Sequence, residues 1–242
     1  MEKLFKNKVV LISGEVNSLS IEIIHSFLKE MAIVIFPAKS LHQIDMIKSF
    51  DDINQYENFI TLLIDVQDFD KLIETCETIT DRFGKIDISI EIPGFSKCIK
   101  ELTEASIEEW NHMMETDMVP FFMGARIVLN MMKDNLNGMF VHISDSRLFE
   151  NLKSNALTRI AFTTKMEMSK IFAEEAQQHG IRYYHLWVPD LAYKKTPDLN
   201  HVSTEMIVGL VSQEIKDLYR KENYDTEMAL QSFPKQLLHK QI

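Results

Sequence analysis

Short aliphatic and β-branched runs alternate with longer amphipathic stretches from the start of the chain to about residue 190. The short runs have the length and composition of buried strands, and the stretches carry apolar residues at helical spacing. We therefore expect six strands, at Val9–Ser13, Ala32–Phe36, Phe59–Asp65, Ile86–Glu91, Met139–Ser144 and Arg182–Val188. Helices are expected near 18–30, 40–50, 67–83, 104–134, 155–179 and 203–222. Strands separated by helix-length segments predict an α/β fold with a doubly wound parallel sheet, in three α/β/α layers.

The composition is that of a globular protein with a sizeable core, because 45% of the 242 residues are hydrophobic and 26% are charged. No repeat, linker or low-complexity tract divides the chain, so we expect a single domain over residues 1–242. The formal net charge of -10 argues against a nucleic acid partner, because phosphate binding requires clustered Lys and Arg. The most apolar stretch is interrupted by Pro120 and Arg126, so we expect no membrane span.

The two cysteines, Cys76 and Cys98, suit a reducing compartment and favour a cytoplasmic protein. Neither has a second cysteine at metal-ligand spacing. We therefore expect buried apolar thiols and no metal site.

Six segments, taken in order, resemble the short-chain dehydrogenase/reductase family. They are Lys8–Gly14, Leu62–Val66, Arg82–Ile90, Ile107–Trp110, Phe140–Ser144 and His179–Pro189. The resemblance is clearest over residues 7–190, and residues 190–242 diverge. It implies a Rossmann-type fold, a dinucleotide cofactor and a catalytic set of Asn, Ser, Tyr and Lys. It also implies an interface built on the helices near 104–134 and 155–179.

The loop that binds the cofactor pyrophosphate in this family has three glycines, whose missing side chains let the backbone approach the phosphates. Here Gly14 holds the first glycine position, and Ser18 and Ser20 hold the second and third. The whole chain has only 7 glycines, which is few for such a fold. Serine hydroxyls can bond phosphate, whereas the alternative is that Ser18 only caps the following helix.

Three further positions correspond to cofactor contacts of the family. Lys39 follows the second strand, where many members carry an Arg for the 2′-phosphate of NADP, so NADP is the favoured dinucleotide if one binds. The alternative for Lys39 is a solvated surface lysine. Asp65 matches the aspartate near the adenine, and Gly94 ends the segment that closes over the adenosine side.

Three departures near these positions count against ordinary cofactor binding. Glu91 places a negative charge near a polyanionic ligand, and Pro93 removes a backbone donor. Asp190 places a charged side chain beside the expected nicotinamide position.

The catalytic set is largely changed. Lys165 matches the family lysine, but the tyrosine position four residues earlier is Ala161, and none of the six tyrosines has a lysine four residues later. Asp117 holds the Asn position. The Ser position falls within 144–146, where Asp145 fits best and Ser144 and Ser146 are the neighbours.

Two alternatives remain open for the charged and ionisable residues of this region. Lys165, without its tyrosine, is expected to pair with Asp117 or Asp145. His142 is either a substitute acid or base, because its ordinary pKa lies near neutrality, or a satisfied core side chain.

Three functions follow, in order of preference. The first is a non-catalytic or regulatory subunit, either a homodimer or homotetramer or a hetero-oligomer with an active relative. The second is an NADP-dependent oxidoreductase with atypical residues, and the third is a non-redox, lyase-like enzyme. An oligomer is favoured because six methionines lie on the expected interface helix, at Met113, Met114, Met118, Met123, Met131 and Met132.

Overall fold

The computed structural model describes residues 3–64, 68–92, 101–145, 156–188 and 204–220. Its six strands form one fully parallel sheet in the order β3-β2-β1-β4-β5-β6. The strands are β1 (Val9–Gly14), β2 (Ile33–Ala38), β3 (Phe59–Leu63), β4 (Ile88–Ile92), β5 (Gly138–Asp145) and β6 (Ile181–Val188). The predicted doubly wound α/β sheet is confirmed.

The helices fall where the amphipathic stretches predict them, with one addition. They are α1 (Ser18–Lys29), α2 (Leu41–Lys48), α3 (Asp51–Asn54), α4 (Phe69–Phe83), α5 (Ile107–Met113), α6 (Val119–Asp134), α7 (Ala156–Gln177) and α8 (Thr204–Arg220). A 3₁₀ turn covers Leu102–Glu104, and a π-helical turn, Met114–Met118, joins α5 to α6. The short helix α3 was not predicted.

Two apolar cores lie on opposite faces of the sheet, which explains why the strands are apolar at nearly every position. Side chains alternate along a strand, so Val10 and Ile12 of β1 join the core beneath α1 and α8, whereas Val9 and Leu11 join the core beneath α6 and α7. Because all six strands are parallel, their carboxyl ends lie at the same edge of the sheet, and the candidate site lies at this edge.

The six methionines of the long helical connection differ in exposure, and Met114, Met123 and Met131 are partly exposed. Met113, Met118 and Met132 are buried in the molecule. The exposed large apolar side chains of residues 104–134 are Ile107, Trp110, Val119 and Phe122. An oligomer built on this part of the chain stays a prediction.

Among the described residues, no helix is both long enough and apolar enough to cross a membrane. The Cys76 thiol is free and buried, as expected, and Cys98 lies outside the described residues.

Candidate functional site

The candidate site lies at the carboxyl ends of the neighbouring strands β1 and β4. The connection after β1 leads to β2 on one side of the sheet, and the connection after β4 leads to β5 on the other side. In a doubly wound sheet, the crevice at this switch point is the usual place for a ligand. Gly14, Lys39, Glu91 and Asp117 line the cavity found there. Asp65 and Gly94 of the predicted site lie outside the described residues.

Gly14 is required by the close approach of β1 to β4. Its φ is +116°, and a Cβ on this residue would lie 1.8 Å from the carbonyl oxygen of Ile92. The next residue, Glu15, donates its backbone N–H to the same carbonyl at 3.3 Å. The fold alone therefore explains why this glycine is present, with or without a cofactor.

One alternative for Ser18 was that it caps the helix after β1, and the structure shows that this is wrong. Asn17 is the N-cap, and its side chain accepts a hydrogen bond from the backbone N–H of Ser20 at 2.9 Å. The Ser20 hydroxyl oxygen accepts from the backbone N–H of Asn17 at 2.7 Å, which completes a capping box. Ser20 is buried and its hydroxyl is used within the helix start, whereas Ser18 is exposed.

Lys39 is directed back at the loop that follows β1. Its ammonium lies 3.0 Å from a carboxylate oxygen of Glu15, and both side chains are more than a third exposed. This pair places a carboxylate beside the cation that was expected to meet the 2′-phosphate. A phosphate here would have to displace Glu15.

Lys165 of α7 forms an ion pair with Asp117, which was one of its two predicted partners. The ammonium lies 2.5 Å from a carboxylate oxygen, and the side chains are only 8% and 23% exposed. Asp117 belongs to the π-helical turn, a distortion that often occurs at functional sites. The side chain of Asp145 and all of Ser146 lie outside the description.

Ala161 lies one helical turn before Lys165 and is fully buried. It packs in a small apolar cluster with Met113, Met118 and Leu157. The position that the family gives to its proton-donating tyrosine is thus occupied by a methyl group in an apolar environment.

A chain of hydrogen bonds runs through the core beside this position. The Tyr183 hydroxyl donates to Ser169 at 3.1 Å, and Ser169 bonds Nδ1 of His142 at 3.1 Å. Ser144 bonds Nε2 of His142 at 3.4 Å and Nε2 of His185 at 2.8 Å. The Ser144 hydroxyl is therefore engaged within the core.

The two histidines of this chain of hydrogen bonds, His142 and His185, are neutral. Burial lowers the pKa of His142 well below its ordinary value, and its electrostatic interactions with His185 and Lys165 lower it further. Burial, with a smaller effect of Lys165, lowers the pKa of His185 to about 3. His142 is completely buried and hydrogen-bonded, so its interpretation as a core side chain is confirmed.

The sequence alone carried a signal for this chain of bonds. Polar residues recur with the two-residue period of a strand, at 142 and 144 on β5 and at 183 and 185 on β6. His142 and His185 are direct partners in the register of the two strands. Such a period places the four side chains on one face.

The sequence suggested only that Glu91 brings an unfavourable negative charge near the cofactor. In the structure, its carboxyl group is also largely buried. Its Oε2 atom is buried and has no hydrogen-bond partner among the described residues, and it lies 3.8 Å from Nε2 of the neutral His142. Burial raises the pKa of Glu91 most, Lys165 and Lys39 lower it, and Asp117 raises it, so that the pKa is about 7. The carboxyl group of Glu91 therefore keeps its proton to a higher pH than an exposed glutamate does.

A cavity of about 120 Å³, with Glu91 among its lining residues, lies between the sheet and helices α4 and α6. Small residues on the two helices leave this space, among them Thr75, Cys76, Gly124 and Ala125. A Cβ on Gly124 would meet no atom within 4 Å.

Ion pairs occupy the lysine side chains in the described part of the cleft. In the described part of the cavity lining and its neighbourhood, the two lysines, Lys39 and Lys165, are each paired with a carboxylate. Glu91 adds a third carboxylate, so the described part of the cleft offers a pyrophosphate no lysine that is not already paired with a carboxylate. The described residues also include no group of three His, Cys, Asp or Glu side chains placed to hold a metal ion.

Comparisons with known proteins agree with the fold. Glucose 1-dehydrogenase 2 of Bacillus subtilis is 32% identical over 69 residues, which are 28% of this chain and 27% of that protein. The uncharacterized oxidoreductase YvrD of the same organism is 24% identical over 174 residues, which are 72% of this chain and 65% of that protein. Each match spans less than two thirds of the relative's own length.

Solved structures show the same fold at low identity. A metagenomic short-chain oxidoreductase in complex with NADP has a TM-score of 0.75 at 12% identity, with 92% of this chain and 96% of that chain covered. L-sorbose reductase from Gluconobacter frateurii, complexed with NADPH and L-sorbose, has a TM-score of 0.67 at 19% identity, with 77% and 71% covered. The family model of the short chain dehydrogenases matches residues 8–186. On this match and this fold, the chain belongs to the short chain dehydrogenase family.

Proposed function

We propose that this member of the family does not reduce carbonyl compounds and serves as a non-catalytic or regulatory subunit. The observation that carries the proposal is the buried Ala161 in its apolar cluster. A carbonyl that receives hydride becomes an alkoxide, and a positioned proton donor contributes typically ~10²–10⁴-fold to such a step. A methyl group cannot supply that proton.

Among the residues that the structure describes around Ala161, none offers a substitute donor of the same kind. His142 is neutral and completely buried, and Ser144 is engaged with both histidines. The ammonium of Lys165 is held by Asp117. The burial of His142 also weakens the lyase-like alternative, which needed that side chain in the pocket.

Calorimetric titration of the purified protein with NADPH tests the proposal. We expect weak or no binding, because Glu15 and Glu91 oppose the phosphates. Two variants are compared with the unmodified protein. Glu15→Gln removes a carboxylate of the cleft, and Glu174→Gln is the control, because Glu174 is exposed and far from the cleft residues in sequence. Submicromolar binding by the unmodified protein would overturn the proposal.

The second candidate is an NADP-dependent oxidoreductase with atypical residues. Lys39 at the end of β2 favours it, as do the relatives whose structures contain NADP or NADPH. On this candidate, Glu15→Gln would free Lys39 and tighten NADPH binding relative to NADH, whereas Lys39→Met would remove that preference. Equal and weak binding of both dinucleotides by all variants would exclude it.

An oligomer built on α6 and α7 remains part of the proposal. The supporting residues are Val119 and Phe122 on α6 and Ile171 on α7, which are exposed although apolar. The ring of Phe122 also stacks on that of Phe172 of α7, with the ring centroids 6.3 Å apart, so an exposed aromatic side chain of α6 lies against α7. Sedimentation of the unmodified protein and of Phe122→Lys, with Leu136→Lys as an exposed control, tests this: a monomer at micromolar concentration would contradict it.

A further inference from the structure

A polar seam joins β5 to β6, one of the two outermost strands of the described sheet. The strands pair so that the imidazole of His142 lies directly opposite that of His185, on the face covered by α7. The two rings stack with their centroids 4.5 Å apart. Ser144 follows His142 on the same face of β5, and its hydroxyl bonds Nε2 of both rings. Two buried histidines therefore face each other across this strand pairing.

Helix α7 takes part in the same hydrogen bonds. Its Ser169 bonds Nδ1 of His142 and accepts from the hydroxyl of Tyr183 on β6. In residues 167–177 the buried side chains of α7 are small: Ser169, Ala173 and Ala176. Helix α1, in contrast, buries leucine, isoleucine and phenylalanine side chains. This half of α7 therefore gains less from apolar burial, and the polar seam carries more of its attachment to the sheet.

The hydrogen bonds of the seam fit two neutral rings. Tyr183 donates to Ser169, and Ser169 donates to Nδ1 of His142. The Nε2–H group of His142 then donates to Ser144, and Ser144 donates to Nε2 of His185. Each imidazole thus accepts a hydrogen bond from a hydroxyl at one nitrogen. A protonated imidazole has no acceptor, so protonation of either ring breaks this arrangement.

The surroundings of His142 hold few charges. Among the described residues, the titratable or charged side chains around it come from β4, the π-helical turn, α7 and β6, and are Glu91, Asp117, Lys165, Tyr183 and His185. Helix α6 contacts it through the uncharged ring of Phe121. Lys165 and Asp117 are paired with each other, and burial raises the pKa of Glu91, which is about 7, so its carboxyl group is protonated in mild acid. None of these described groups balances the charge of an imidazolium.

We propose that the seam is an acid-sensitive switch, at which protonation of the two histidines opens the α7–β6 unit (residues 156–188) before the rest of the sheet unfolds. Two imidazolium groups directly opposite each other repel, and like charges in a cross-strand pair are destabilising. Because α7 carries Lys165, the opening separates it from Asp117 and dismantles the candidate site. This device does not depend on the proposed function, because it acts through the fold.

Proton linkage sets the size of the effect. A group that takes up a proton only in the open state raises the open fraction about tenfold for each pH unit below its ordinary pKa, which is 6.5 for both histidines. Glu91 opposes this by up to about tenfold per pH unit between pH 7 and 4.5, because its carboxyl group loses its proton when the opening exposes it. Two histidines against one carboxyl group leave a rise of at least about tenfold per pH unit.

Native-state hydrogen exchange of the unmodified protein at pH 6.5 and 4.5, corrected for intrinsic exchange rates, tests the proposal. We expect the open fraction of the α7 and β6 amides to rise at least about 100-fold over these two pH units. The amides of β1 and β2 should stay more protected at both pH values. One shared opening constant for all four elements would show only global unfolding and would overturn the proposal. An open fraction of α7 and β6 that does not change with pH would also overturn it.

Three variants separate the titration from the packing. His185→Gln removes one of the two protons, so the rise should become about tenfold smaller per pH unit. Ser169→Ala keeps both histidines, so it should raise the open fraction at every pH and leave its pH dependence unchanged. His112→Gln, at an exposed histidine, should behave like the unmodified protein. An unchanged pH dependence in His185→Gln would contradict the proposal, and the unmodified protein alone decides if that variant does not fold.

Discussion

The ammonium of Lys165 lies 2.5 Å from a carboxylate oxygen of Asp117, and this ion pair joins the two positions where the family carries its Lys and Asn. Because Lys165 is almost fully buried, removing its partner would leave an uncompensated charge in the core. We expect Asp117→Asn to lower the free energy of unfolding by about 3 kcal/mol. Urea denaturation measures this loss.

The double variant Asp117→Asn/Lys165→Met should recover part of that loss, since it removes the charge together with its partner. The control is Glu167→Gln, which breaks the exposed Lys170–Glu167 pair and should cost less than about 1 kcal/mol. Equal losses for the buried and exposed pairs would contradict the structural role of the Lys165–Asp117 pair.

Gly14 and Gly84 make a matched pair of glycines with positive φ. Gly14→Ala should cost about 4 kcal/mol or more, because its Cβ would collide with the carbonyl of Ile92. Gly84→Ala should cost only about 1 kcal/mol, since the conformation is strained but a Cβ there meets nothing within 4 Å. Thermal unfolding compares them, and a mild effect at Gly14 would show that the glycine is retained for a ligand rather than for the fold.

Restoring the tyrosine should not restore catalysis. Ala161→Tyr places a large side chain in a buried cluster, so we expect a loss of stability of about 1–3 kcal/mol and no NADPH-dependent turnover of carbonyl compounds. Thr163→Tyr, at an exposed position of the same helix, should be nearly neutral in stability. Activity in the Ala161→Tyr protein would show that the cofactor cleft is intact.

Stability should depend on pH through two opposing effects. Glu91 has a pKa of about 7 in the folded protein against an ordinary 4.5, so between these values its deprotonation in the unfolded chain makes stability fall as pH rises. His142 and His185 have lowered pKa values, so below their ordinary 6.5 the unfolded chain takes up protons that the folded protein cannot, and stability falls as pH falls.

The Glu91→Gln variant should expose the histidine effect alone. Between about pH 7.5 and about pH 5.5 we expect it to lose about 2 kcal/mol more stability than the unmodified protein. Urea unfolding at the two pH values measures this, with Glu174→Gln as the control that behaves like the unmodified protein. Parallel pH profiles for Glu91→Gln and the unmodified protein would show that Glu91 has an ordinary pKa.

The fold could be predicted because its signal is local and repeated. Each strand of the sheet is a largely apolar run, and its ends fall within two residues of the expected ones. The confirmed pair between Lys165 and Asp117 could also be predicted, since the family's pattern places both residues at one site.

The features that could not be predicted depend on contacts that local sequence patterns do not specify. Asn17 and Ser18 are both suitable helix caps, and only the backbone conformation decides for Asn17. The π-helical turn has no sequence signature within a continuous amphipathic stretch. The position of Glu91 beside a neutral histidine follows from the pairing of β4 with β5, which no single segment of the sequence contains.

The measurement that most directly tests the central claim is NADPH consumption by the unmodified protein with a broad panel of aldehydes and ketones. The claim is that Ala161 and the paired Lys165 leave the site without a proton donor for carbonyl reduction. We predict a rate that is indistinguishable from that of NADPH and substrate without protein. Robust, substrate-dependent NADPH oxidation that follows the protein concentration would contradict the claim.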